Sequence, residues 1–475
     1  MDRKQRQEKQ RNRTVTRLND HARALDRIMQ NAGINQRDRE PFMQWVVDSL
    51  WKAFKTERMN KRIEIENEIR MTGLRLPNGT VKKEYAATLN LPVDKISGIE
   101  LLGAEALGLE LTVGKDGVCT LTGTPVTAGD FSLKLRFRTV EGEPASEFSL
   151  PIAFNPDPRD LWKDIPTDPN IPYFKPDSDV EFISVEPKRM MAASRRGRSH
   201  AQEGKARDDH FSLMHCQDSG WYVAAVADGA GSARFSRKGS EVACNAVIDH
   251  CRALLCSNPG FEQAVRDYNA DRENKEKRTL LTRHVIDIVY NGALRAHEAV
   301  KQTALANEGS RLKDFATTLM FVICKKFEFG WFIASFWVGD GAVCLFDERN
   351  HTARLLGTPD EGEYSGQTRF LTMPEIFHDR EAVAKRLRMT IVDDFTALML
   401  MTDGVSDPMF ETDRNLNDYS RWKEFYTTLT TGFPGDEIEG VDLAGNSPEA
   451  ADQLLRWLDF WSPGNHDDRT IALIY

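Results

Sequence analysis

In the C-terminal part of this chain, strand-like apolar stretches repeatedly begin or end on aspartate. The stretch "YVAAVADGAGSARF" carries Asp228 straight into a turn of small residues, and "WFIASFWVGDGAVCLF" does the same with Asp340. "TALMLMTDGVSD" ends its apolar run at Asp403, "GKARDDHFSLMH" places Asp208 and Asp209 just before a strand, and "GNHDDRTIALIY" places Asp467 and Asp468 before the last one. Asp and Gly are ordinary turn residues, so one such end means little. Five constrain the fold, because converging carboxylates within a few ångströms cannot all stay ionised without compensation. A hard divalent cation supplies it, and oxygen-only donors select Mg²⁺ or Mn²⁺ over zinc. More carboxylates than one ion needs point to a pair of ions, which suits in-line displacement on phosphorus. Glycine after the aspartate lets its own carbonyl approach the site.

The rest of the chain sets limits on this reading. At 475 residues it exceeds one ordinary core, so two or three domains are expected. Hydrophobic residues at 40% and charged residues at 28% fit a soluble protein, and a net charge of −9 argues against nucleic acid as the main partner. Seven cysteines without a C-x-x-C pair suggest reduced thiols in a cytoplasm. The basic N-terminus lacks an apolar h-region, and no run is long enough to span a membrane.

Four segments follow from changes of period. Residues 1–75 have helical spacing, with one stripe of Val15, Leu18, Leu25 and Ile28 and another of Phe42, Val46, Leu50 and Phe54, joined near Gly33 and restarted at Asp38 and Pro41. A helical hairpin with little core of its own is expected, serving as a docking or spacer element or, through Trp45 and Trp51, as a partner-binding surface. Residues 76–155 alternate as short strands with tight turns, including the Gly114–Gly117 turn. Through "GLELTVGKDGVCTLTGTPVTAGDFSLKLRF", with Gly108, Gly123-Thr124-Pro125 and Gly129, this part resembles bacterial immunoglobulin-like domains. Cys119 is alone there, so only a sandwich held by packing is implied. Residues 156–180 are rich in Pro and Asp and read as a stiff linker. From 181 to 475 strands alternate with helices.

This last region resembles the PP2C-type metal-dependent serine/threonine phosphatases, in their bacterial branch. The motifs appear in family order: "SHAQEGKARDDHF", "VADGAGSA", "DFATTLMFVI", "VGDGAVCLF", "LMTDGVSD" and "GNHDDRTIALI". The resemblance implies an α+β fold, a β-sandwich flanked by helices on both faces, and hydrolysis of phosphoserine or phosphothreonine in proteins by a water between two Mn²⁺ or Mg²⁺ ions. It implies that Asp228 bridges the ions, Gly229 binds through its carbonyl, Asp403 and Asp467 hold the first ion, and Asp209 orients bound water with Asp208 as companion. Asp340 helps hold a weaker third ion, and Asp468 stands where the family commonly has Asn. Two positions depart from the pattern. Ala230 replaces the histidine that follows the first Asp-Gly in eukaryotic members, and Gly204 replaces a phosphate-gripping arginine. Lys205, Arg207 or Arg198 is expected to supply that charge, and His200 or a bound water to protonate the leaving oxygen. His200 and His466 otherwise read, as such histidines more often do, as surface or hydrogen-bonded residues, and Thr317 and Thr318 as packed or hydrogen-bonded residues of a core strand.

The expected partners are a phosphorylated protein and a separate Ser/Thr kinase, without nucleic acid or membrane. The tract 266–278 reads as a solvated, charge-rich connection, and residues 355–372 as a variable segment near the site. A haloacid-dehalogenase-type enzyme would need Asp-x-Asp, which "VADGAG" lacks. The competing reading is a catalytically weak or inactive scaffold acting through its N-terminal domains.

Overall fold

The computed structural model describes residues 21, 23–114, 118–139, 144–359, 368–378 and 380–475. Val15, Leu18, most of the turn ending at Gly117 and residues 360–367 of the expected variable segment lie outside them. The chain divides into two compact units, Met1–Leu161 and Trp162–Tyr475. The division falls inside the stretch read as linker, so residues 162–177 group with the C-terminal unit.

In the first unit, helix α1 (residues 23–31) turns at Gly33, which takes a left-handed φ of 72°, into α2 (Arg39–Met71). Seven strands follow: β1 (Gly79–Thr80), β2 (Tyr85–Asn90), β3 (Ser97–Leu102), β4 (Leu109–Val113), β5 (Val118–Gly123), β6 (Gly129–Arg138) and β7 (Ser146–Asn155). They form two sheets, ordered β1-β7-β6-β3 and β2-β5-β4. Alternate residues of each sheet, among them Leu133, Leu135, Phe137, Leu150, Ile152 and Phe154 from one and Leu89, Leu109 and Leu121 from the other, share one apolar cluster. Ile65 and Ile69 at the end of α2 belong to the same cluster, so that end of the helix is anchored on the strands. The middle of α2 is different. Leu50, Trp51 and Phe54 are 65%, 56% and 47% exposed, so among the described residues this stripe has no core to face.

The second unit contains two larger sheets. One, ordered β10-β11-β12-β13-β16, is built from β10 (His210–His215), β11 (Trp221–Ala227), β12 (Leu319–Phe327), β13 (Gly330–Val338) and β16 (Leu387–Val392). The other runs β15-β14-β17-β20-β9-β8, from β8 (Ser178–Ile183), β9 (Met190–Arg195), β14 (Ala342–Asp347), β15 (Thr352–Leu355), β17 (Ala397–Met401) and β20 (Arg469–Ile474). A small hairpin pairs β18 (Gly432–Phe433) with β19 (Ile438–Glu439). The continuous apolar run of β11 has a direct cause: the strand is buried on both faces. Tyr222, Ala224 and Val226 join a cluster with the second sheet, through Ala192, Leu400 and Ala472, whereas Trp221, Val223, Ala225 and Ala227 pack on the opposite side.

That opposite side is covered by α4 (Ser236–Leu255), α5 (Pro259–Ala270), α6 (Lys275–Val285) and α7 (Asn291–Ala306), which supply Val247, Phe261, Leu281 and Ala296. A short α3 (Arg198–Glu203) precedes them, and α8 (Glu375–His378), α9 (Arg380–Arg386) and α10 (Asp403–Phe410) follow. Helices α11 (Tyr419–Thr431) and α12 (Glu449–Trp457) bring Trp422, Phe425, Leu454 and Trp457 to the second sheet's cluster.

The expectation of seven reduced thiols is corrected at one pair. Cys216, in the β10–β11 turn, is disulfide-bonded to Cys256 at the C-terminal end of α4, 40 residues away and with Cα atoms 5.2 Å apart. Spacing alone does not reveal such a pair, because only the packing of α4 on the hairpin brings the two together. The other five cysteines are free and buried. No helix among the described residues is long and apolar enough to cross a membrane.

Candidate metal centre

Antiparallel register decides where the aspartates go. His210 pairs with Ala227, so Asp209 and Asp228 leave β10 and β11 at the same end. Leu319 pairs with Val338, which puts Thr317, Thr318 and Asp340 at one end of β12 and β13. Met401 pairs with Ile471 and Arg469 with Arg195, which joins Asp403, Asp467, Asp468 and the 196–208 segment in the second sheet. Ligand oxygens of Asp228, Asp340 and Asp403 lie within 4.8 Å of one another, as do a ring nitrogen of His200 and carboxylate oxygens of Asp467 and Asp468.

The backbone around Asp228 is fixed by its neighbours. Thr318 Oγ1 accepts from the Asp228 N–H at 2.8 Å, while the Thr317 hydroxyl and the Thr318 N–H both donate to the Asp228 carbonyl, each at 2.8 Å. A Cβ on Gly229 would stand 2.8 Å from the Asp208 carbonyl oxygen and from Ser236, and one on Gly404 would stand 1.9 Å from the Asp468 carbonyl oxygen. The glycines of two Asp-Gly pairs are thus demanded by close backbone approach, beyond any freedom they give a carbonyl.

Around Asp209, the Thr402 and Thr470 hydroxyls donate to Oδ2 at 2.8 and 2.7 Å. Its Oδ1 is buried without a hydrogen-bond partner, as are one oxygen each of Asp208, Asp340 and Asp403. Arg237 Nη1 stands 3.7 Å from Asp208 Oδ1, which leaves the buried oxygens of Asp209, Asp340 and Asp403, costly unless a cation meets them. The donor set therefore fits hard divalent ions, since among the described residues the group formed by Asp228, Asp340 and Asp403 contains neither Cys nor His.

The electrostatics agree. Burial, then Asp403, Asp209 and Asp467, push the Asp228 carboxyl well above its usual range, and burial with Asp340 does the same to Asp403. Burial and Asp468 raise Asp209 to about 7 and Asp208 to about 6. Such groups bind more protons folded than unfolded, so their contribution to stability falls as pH rises from about 4 towards 7. For Asp208 alone the change corresponds to about 3 kcal/mol, at about 1.4 kcal/mol per unit. His200, raised to about 9, acts in the same sense between 6.5 and 9. We therefore expect the melting temperature of the metal-free protein to drop between pH 5 and 8. The upward shift on adding Mn²⁺ is expected to grow over the same interval, because protons and cations compete for the same oxygens. Scanning calorimetry at several pH values with EDTA or Mn²⁺ checks both trends, and a Mn²⁺ shift independent of pH contradicts them.

Asp468 does more than add charge. Its Oδ1 accepts from the Gly197 N–H at 2.6 Å and contacts His200 Nδ1 at 3.0 Å, and its Oδ2 accepts from the Asp208 N–H at 2.5 Å. Burial opposes charge on His200, yet Asp468 overrides it and keeps the imidazole protonated. His200 is only 8% exposed, so the structure places it beneath the carboxylates as the partner of Asp468.

The three expected phosphate-binding cations are placed elsewhere. Arg207 is fully buried, donating to the Pro176 carbonyl and standing 3.7 Å from Asp179. Arg198 binds Asp459 and lies over the Trp461 ring, and Lys205 pairs with Glu203 at the surface. Gly204 takes a left-handed φ of 67° as the C-cap of α3, with Ile165 3.1 Å from its missing Cβ, which explains why no arginine occupies that position. Spacing did not point to several residues that meet the cluster. Arg237 Nη1 lies 3.7 Å from Asp208, Thr368 donates to Asp340, and Lys175 reaches the Asp209 carbonyl. Asp407, one helical turn after Asp403 in α10, is pushed up to about 6 by burial and Asp340. Its i, i+4 spacing was the readable signal for it.

A sequence profile of the protein phosphatase 2C family matches residues 196–459, more than half of the chain. The chain belongs to the protein phosphatase 2C family. Members of this family are metal-dependent. Among solved structures, the chain is similar to RsbX in complex with magnesium, at 14% identity over 62% of this chain and 98% of that one, TM-score 0.32. It is also similar to the catalytic domain of the serine/threonine phosphatase PstP in complex with two manganese ions, at 14% identity over 62% and 98%, TM-score 0.34. The serine/threonine phosphatase Stp1 from Staphylococcus aureus matches at 14% identity over 63% and 94%, TM-score 0.31. No curated protein sequence matches the chain significantly.

Proposed function

We propose that the C-terminal unit, a helix-flanked β-sandwich, hydrolyses phosphoserine and phosphothreonine in proteins with two Mn²⁺ or Mg²⁺ ions. The observation that carries this reading is the set of buried, unpartnered oxygens on Asp209, Asp340 and Asp403 beside Asp228. Asp228, the Gly229 carbonyl, Asp403 and Asp467 would hold the two ions, and Asp340 with Asp403 a weaker third. Bound there, the ions neutralise the phosphate ester and lower the pKa of water. Asp209, with Oδ2 fixed by Thr402 and Thr470, keeps Oδ1 to accept a hydrogen bond from the attacking water. His200 acts here as a positioning residue for Asp468 and Asp208 instead of the proton donor, because its ring is engaged and buried. With Arg198, Lys205 and Arg207 turned to other partners, the charge on the phosphate is left to the ions.

In this reading the enzyme opposes a separate Ser/Thr kinase in the cytoplasm. The seven-stranded N-terminal unit serves as an immunoglobulin-like spacer or interaction module. Hydrolysis of p-nitrophenyl phosphate and of a phosphothreonine peptide by the full chain, with Mn²⁺, Mg²⁺ or EDTA, tests the reading. Activity with either metal and none with EDTA supports it. A folded, Mn²⁺-binding protein without activity supports the scaffold.

A further inference from the structure

The family match begins at residue 196, yet the preceding Pro- and Asp-rich stretch is tied repeatedly to the segments that carry the site. The Trp162 ring lies 4.3 Å from that of His466, beside Asp467. Asp164 binds Arg196 at 2.7 Å, the Ile165 N–H donates to the Ala201 carbonyl, and Thr167 accepts from Arg196 at 2.6 Å. Arg237, next to Asp208, donates to the carbonyls of Pro172 and Tyr173. The stretch ends on Lys175, only 4% exposed, whose ammonium donates to the Asp209 carbonyl at 2.9 Å and to Ser240 Oγ at 3.2 Å. Ser240 in turn donates to the Asp208 carbonyl at 2.5 Å.

We infer that residues 162–177 are a strap belonging to the active site, and that Lys175 is a positioning residue for the acidic pair Asp208 and Asp209. One ammonium holds two consecutive peptide carbonyls, one directly and one through Ser240. Fixing both peptide planes fixes the directions in which the two side chains leave the backbone. A lysine nitrogen suits this place, since it is compact and can donate to more than one acceptor at once. A buried lysine is costly: burial, then Arg207, pull its pKa down to about 7, and Glu241, Asp208 and Asp209 only partly offset this, so packing alone gives no reason for one here. With the backbone held from below by Lys175 and Oδ2 held from the side by Thr402 and Thr470, Asp209 has Oδ1 as its one oxygen left for a cation or its water.

The activity part of this inference rests on the phosphatase reading, but the metal-binding part does not. In the full chain, Lys175→Met is expected to weaken Mn²⁺ binding by about tenfold in titration calorimetry, the usual scale for an outer residue that orients a group meeting the metal or its water. It should also lower kcat for p-nitrophenyl phosphate by about tenfold while KM changes by less than about threefold. A purely structural lysine would lower the melting temperature and leave the Mn²⁺ affinity and kcat of the folded fraction near wild type. Values within about twofold of wild type for both would overturn the inference. If Lys175→Met does not fold, Ser240→Ala carries the test, with a loss of about threefold in Mn²⁺ affinity expected and no change overturning it. A wild-type chain that lacks activity but loses Mn²⁺ affinity on Lys175→Met refutes the phosphatase reading and keeps the positioning role.

Discussion

Asp228→Asn is expected to abolish metal-stimulated hydrolysis of p-nitrophenyl phosphate, by a factor of about 10³ or more, while the metal-free fold becomes no less stable. The factor follows from the several kcal/mol that metal charge supplies to a phosphoryl-transfer transition state, at about 1.4 kcal/mol per tenfold. The stability expectation comes from the structure. Asp228 is crowded by carboxylates, with Asp403, Asp209 and Asp467 all raising its pKa after burial itself. An amide of the same shape is neutral without taking up a proton, so it removes the cost of placing a carboxyl among these neighbours, and the backbone bonds from Thr317 and Thr318 do not involve the side chain. The site is thus a place where the fold is strained for function, and neutralising it should stabilise the empty protein. Melting temperatures with EDTA and with Mn²⁺ separate the two effects. The variant should melt at or above wild type in EDTA and lose most of the Mn²⁺ shift. Retained activity together with an intact Mn²⁺ shift would remove Asp228 from the centre.

Much of this centre was legible because it is written locally. An apolar strand that ends on Asp-Gly is a short pattern, and antiparallel pairing brings successive ends to one edge without further information. The two-sided burial of β11 and β13 was readable from their unbroken apolar runs. What stayed hidden depends on contacts between distant segments. Lys175 is one lysine in a stretch without period, and nothing in "PNIPYFKPDSD" announces that its ammonium lies under Asp209. The same stretch reads as a linker because Pro and Asp punctuate it, yet Thr167 and Lys175 are buried. Arg207 and Lys205 were attractive phosphate ligands because they precede the acidic pair, but sequence adjacency says little about which way a loop side chain turns. Arg237, which does meet Asp208, is more distant in sequence and begins a helix. Along α2, the helical period was clear at Leu50 and Phe54, and only the absence of a facing element among the described residues leaves them exposed.

Asp468 was the residue whose sequence meaning was thinnest, an aspartate where Asn is usual, and it leads to the second large expectation. Asp468→Asn should destabilise the C-terminal unit by roughly 3–5 kcal/mol, the range for removing one partner of a buried ion pair. The fully buried carboxylate receives N–H donors on both oxygens, from Gly197 on one and Asp208 on the other, with His200 as a third partner. An Asn side chain has one acceptor oxygen, so whichever way it turns, its NH₂ faces a donor. His200 would also lose the charge that holds its pKa near 9, and burial would then drive it neutral. An NMR titration of the His200 ring is expected to show its pKa falling by more than two units, and urea unfolding reads the loss of stability. The double variant with His200→Gln discriminates between an ion pair and a carboxylate that merely caps two loops. If the pair dominates, Asp468→Asn costs much less once His200 is gone, with a coupling of about 1–3 kcal/mol. If the two costs simply add, the Gly197 and Asp208 N–H groups are the main reason for the carboxylate. In the first case Asn at this position requires a neutral neighbour where this chain has His200, and the two residues act as one unit; in the second the carboxylate is needed whatever stands at 200.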